Sequence, residues 1–106
     1  MNDDMKDVSA MTQTERIGYM EALLNEGRAA VEALSRALEA YALISPRLAE
    51  LFDYYGSELW FADLEDDIAG LLPDGLPRGV LSEDAVYNLI GDNARLLEEL
   101  EGFAQL

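Results

Sequence analysis

The chain contains no cysteine and no histidine. The first absence excludes disulfides, thiolate metal sites and thiol catalysis. The second removes the commonest general base and the commonest transition-metal ligand. Lysine and arginine number only 7 against 22 acids, for a net charge of −15. Direct binding to nucleic acid or to an anionic bilayer, which needs basic residues, is therefore not expected. No apolar run approaches the roughly 18 residues of a membrane span. The first residues carry acids where a secretory signal carries bases. These features place the chain in the cytoplasm as an expectation. Its 106 residues suffice for one domain with a core of its own. The acid surplus suits solubility, a basic protein partner, or mimicry of nucleic acid.

The dominant stretch runs from Thr14 to Ile44. Ile17, Met20, Leu24, Val31, Leu34, Leu38 and Tyr41 recur at alternating steps of three and four, interrupted only by Gly27. That spacing draws one stripe along a helix. Alanines at 22, 29, 30, 33, 37, 40 and 42 favour the helix and permit close approach of a partner. Such a helix runs about 46 Å, too long for a compact remainder to cover except lengthwise. Met1 to Gln13 lacks an apolar period and reads as a flexible acidic tail, with Thr12 or Thr14 capping the helix. Residues 14–106 then form a single helical domain.

Ser45-Pro46 breaks the helical geometry or starts a new helix. Yet Leu48, Phe52 and Tyr55 keep the heptad count from Tyr41, so a run-on extension and a fold-back are both open. Gly56 and Ser57 end one segment and cap the next, roughly Glu58 to Ala69. Pro73-Asp74-Gly75 predicts a turn. Ser82 is expected to cap the last helix, with Glu83 and Asp84 in its first turn. The stripe of that helix includes Val86, Leu89, Leu96, Leu100 and Phe103, and Leu89 is expected to be a fully buried anchor. The predicted class is all-α: a long N-terminal helix packed antiparallel on the C-terminal helix, with two short helices and a Pro/Gly connector between them.

Chemistry has little to work with. Asp63 and Asp67 lie one turn apart and offer oxygens to a hard cation. However, Ile68 stands where a calcium loop needs glycine, and Arg78 is available as a counter-charge. A solvated acidic face accounts for them better. Gly75 and Gly79 around Arg78 lack any phosphate-loop spacing. Phe52, Tyr54, Tyr55, Trp60 and Phe61 form the densest aromatic stretch, which suits either a binding anchor or a corner between helices. The candidate interaction surface is accordingly Tyr54, Tyr55, Trp60, Asp63, Asp67, Arg78 and Asp84. No catalytic residue, metal ligand or cofactor-binding residue is assigned, and no cofactor is expected.

Tyr54-Tyr55-Gly56-Ser57-x-x-Trp60, then Asp63, Asp67 and Pro73, then Arg78-Gly79-Val80-Leu81-Ser82-Glu83-Asp84-Ala85-x-Tyr87-x-Leu89 resemble a small bacterial family, the domain of unknown function numbered 4298. Its members are short, His-poor and helical, opening on a long Arg-Ile-led helix that Arg16-Ile17 resembles. The likeness covers about Thr14 to Leu100. The acidic residues before Thr14 and the insertion-like Asp74-Gly75 depart from it. No activity is named for that family, so the resemblance implies a fold and no site residues. The resulting expectation is a non-enzymatic cytoplasmic interaction or structural protein that forms a homodimer. An acidic decoy that occupies a basic partner's nucleic-acid surface is the second expectation. A carboxylate-based metal-binding or hydrolytic protein on Asp63, Asp67 and Asp84 is the third.

Overall fold

The computed structural model describes residues 7–106. Of the tail expected at 1–13, residues 1–6 lie outside the described ones. These residues form three α-helices: α1 (Gln13–Tyr54), α2 (Glu58–Ile68) and α3 (Ala85–Ala104). Short 3₁₀ turns occupy Val8–Ala10 and Gly79–Leu81, and no strand occurs among the described residues. The protein is all-α, with a long N-terminal helix, a C-terminal helix and short pieces between them. Contacts divide the chain into one unit up to Leu43 and another from Ile44 onward.

In the first unit, the start of α1 is fixed by a reciprocal pair of bonds. Thr12 Oγ1 accepts from the Glu15 N–H at 3.2 Å, and a Glu15 carboxylate oxygen accepts from the Thr12 N–H at 2.9 Å. Two backbone donors with no intrahelical partner are thereby satisfied, in the Thr-x-x-Glu pattern that marks a helix entry. Ahead of it, Asp7 accepts from both the N–H and the hydroxyl of Ser9, closing the 3₁₀ turn. These bonds hold the exposed Asp7 carboxyl below the ordinary aspartate value. No residue of α1 is buried. The stripe from Ile17 to Leu38 is exposed, reaching 69% at Val31. Gly27 sits on it with open space where a side chain would begin.

Pro46 lies inside α1 and does not end it. Its missing N–H removes the bond that the Ala42 carbonyl would otherwise accept. The turns on either side keep their own ladder, so the open choice at Ser45-Pro46 resolves as continuation. The run-on extension past Pro46 is thus the last part of α1, which continues to Tyr54.

The second unit shows where glycine is needed. Gly56 has φ +78° between the end of α1 and the Ser57 cap, whose hydroxyl accepts from the Trp60 N–H at 3.3 Å. Gly70, at φ +74°, closes α2. There the Gly70 N–H bonds to the Asp67 carbonyl and the Leu71 N–H to the Asp66 carbonyl. This is the paired closure that a left-handed residue permits at a helix end. The turn expected at Pro73-Asp74-Gly75 forms, with the Leu76 N–H bonded to the Pro73 carbonyl at 3.3 Å.

The core of this unit is small. Trp60 from α2, Leu81 from the 3₁₀ turn and Val86 from α3 are 6%, 7% and 4% exposed. The 3₁₀ turn touches both α2 and α3. Leu89, expected as the buried anchor of the last helix, is 39% exposed. Burial falls on Val86 instead, in the first turn of α3. Ser82 acts from further back than expected. Its hydroxyl accepts from the Ala85 N–H at 3.2 Å and donates to the Gly79 carbonyl at 2.7 Å, joining the 3₁₀ turn to the helix start. Glu83 and Asp84 consequently precede α3, and its first turn holds no acid.

Candidate functional site

The aromatic stretch Tyr54–Phe61 straddles the Gly56-Ser57 junction, so residues from the end of α1 and from α2 come together there. The Tyr55 and Trp60 rings meet edge to face at 5.1 Å, and the Trp60 and Phe61 rings at 5.0 Å. Such contacts add about 0.5–1.5 kcal/mol beyond the area they bury. The polar tips are used as well. The Trp60 indole N–H donates to the Val80 carbonyl at 2.9 Å, and the Tyr55 hydroxyl to the Glu83 carbonyl at 2.9 Å. Both bonds tie the connector before α3 to the junction. Trp60 is thus the centre of the fold here, while Phe61 remains exposed.

The carboxylates of the expected surface differ in what they do. Tyr54 donates its phenol proton to Asp63 at 2.5 Å. That bond, then desolvation, then the nearby Asp63 charge raise the Tyr54 pKa above its ordinary 10.0. Arg78 donates to Asp67 at 3.0 Å, with both side chains partly exposed. An ion pair so placed contributes from nothing to about 1 kcal/mol. The counter-charge expected of Arg78 is therefore in place. Asp84 occupies the cap position of α3 without using its side chain as a cap, and its carbonyl accepts from the Asn88 N–H at 2.7 Å. Asp63 and Asp67 are drawn to different partners. No group of three or more acids is arranged to hold a metal ion among the described residues.

The phenol bond sets a pH dependence. A group whose pKa is raised in the folded state stabilises fully below its unfolded value and loses that contribution as pH rises through the folded value. Tyr54→Phe should thus cost about 1 kcal/mol at neutral pH. The difference from the native chain should shrink above pH 10. Denaturation at pH 7 and pH 11 checks this, and a penalty that grows with pH would contradict the assignment.

A second feature lies outside the expected surface. On α1 an open depression is lined by Leu23, Leu24, Gly27, Arg28, Val31 and Glu32. Its signal in the sequence was Gly27, the one stripe position without a side chain. Among the described residues, no helix is long and apolar enough to cross a membrane.

These features define an all-α chain with an exposed apolar stripe in its first unit and an aromatic junction in its second. Residues 17–101 match the family model described as a domain of unknown function, DUF4298. The chain belongs to that family. No curated protein matches it, and no solved structure does.

Proposed function

We propose that this protein is a non-enzymatic interaction module of the bacterial cytoplasm that forms homodimers through the apolar stripe of α1. The observation that carries this reading is the exposure of that stripe from Ile17 to Leu38 on a helix with no buried residue. A contiguous apolar surface of this kind marks an association site. Its segment suits a second copy electrostatically. Residues 13–43 hold five acids and three bases, whereas residues 44–106 hold fourteen acids and three bases. Repulsion between two copies of a chain with net charge −15 is thus weakest along the stripe. The Tyr54, Tyr55 and Trp60 junction serves the architecture of its own unit, and its acidic rim is available to a basic protein.

Light scattering at micromolar concentration should give twice the chain mass of 11.7 kDa. Leu34→Glu, which sets a charge in the stripe, should return the monomer with its helix content retained. A native chain that stays at 11.7 kDa at every concentration rules the reading out.

The second reading, an acidic decoy for a basic partner, draws on the fourteen acids of residues 44–106. Salt-sensitive competition with DNA for a basic DNA-binding protein is its test. Binding that persists after the exposed acids Glu65 and Asp66 are neutralised would speak against it.

A further inference from the structure

We infer that two copies pair antiparallel along α1, with Gly27 of each facing Val31 of the other. This inference rests on the self-association proposed above and adds its orientation and register. The stripe positions 17, 20, 24, 27, 31, 34, 38 and 41 are symmetric about a point between Gly27 and Val31. Running the second copy in reverse sets Ile17 against Tyr41, Met20 against Leu38, Leu24 against Leu34 and Gly27 against Val31.

That register answers the one gap in the stripe. A side chain at Gly27 would meet nothing within 4 Å, and the open depression around it is lined by Leu23, Leu24 and Val31, with Arg28 and Glu32 at its sides. A gap of this kind in an apolar stripe has room for a side chain from a facing helix. In the antiparallel arrangement Val31 supplies it twice, once from each copy, because the contact is isologous. A parallel, in-register pair sets Gly27 against Gly27 and leaves an unfilled layer at its centre, which close-packed interiors disfavour.

The chain has no cysteine, so introduced thiols are unique reporters. Leu24→Cys and Leu34→Cys, oxidised separately, should stay uncrosslinked, and an equimolar mixture of the two should form a covalent dimer. Since both changes thin the stripe, a surface label supplies the second readout. A nitroxide on Glu39→Cys, off the stripe, should report an intermolecular separation of about 30 Å, from the axial offset of 20 residues. A covalent dimer of Leu24→Cys alone, or a Glu39 label distance below about 20 Å, overturns the antiparallel register while the dimer stands. A native chain that light scattering shows to be strictly monomeric overturns self-association itself.

Discussion

Trp60→Ala should lower the stability of the second unit by about 3–5 kcal/mol, the range for truncating a large buried aromatic. The magnitude follows from what converges on this side chain. It is 6% exposed, stacks edge to face on Tyr55 and Phe61, and donates to the Val80 carbonyl. Alanine leaves a cavity between α2 and the 3₁₀ turn and strands that carbonyl. Trp60→Phe isolates part of the effect, since it keeps most of the apolar area and loses the donor, for about 1–2 kcal/mol. A small domain holds about 5–15 kcal/mol in total, so the alanine variant approaches unfolding. Urea midpoints read with unchanged slopes measure the order. Phe61, which is exposed, is the control. If Phe61→Ala proves as damaging as Trp60→Ala, the core has been misplaced.

Val86→Asp should be as severe, through a different mechanism. Val86 is 4% exposed at the start of α3. An aspartate there must either keep an unpaired charge out of water or bind a proton. The penalty should exceed about 3 kcal/mol at pH 7. It should fall as the solution approaches pH 4, because the protonated carboxyl avoids part of the desolvation. Val86→Asn carries the same shape without the titration and should show a penalty independent of pH. Comparing the two by denaturation at pH 4 and pH 7 separates burial from shape. A Val86→Asp variant as stable as the native chain would mean that α3 is not anchored by its first turn.

The element types were legible because they rest on local rules. Alternating three- and four-residue spacing, a run of alanines, Thr12 with Glu15, and Gly56 with Ser57 each act within a turn or two of the chain. Pro46 was ambiguous because proline is compatible with the start of a new helix and with continuation at the loss of one bond. Burial was less legible. The stripes of α1 and α3 read alike, yet Val86 is buried, Leu89 is partly exposed and Val31 lies open. Periodicity says which residues share a face, and it carries no information about what faces them. The aromatic junction was visible as a cluster. The pairings within it, Tyr54 with Asp63 and Trp60 with Val80, depend on how the connector returns and have no sequence signature. Gly27 was visible as an anomaly, and the open space around it was not.

The first thirty or so residues of α1 hold their shape without a single buried side chain. Their order comes from a capped entry, good local propensity and a ladder of backbone bonds, and helix–coil statistics therefore apply to them. An isolated helix must exceed about 12–15 residues to persist in water. This one does, and its amides are expected to open first at its start and around the interrupted ladder at Ala42 and Pro46. On the proposed self-association, amide exchange along Gln13–Leu43 should slow as concentration rises, while exchange near Trp60 follows only the fold of its own unit.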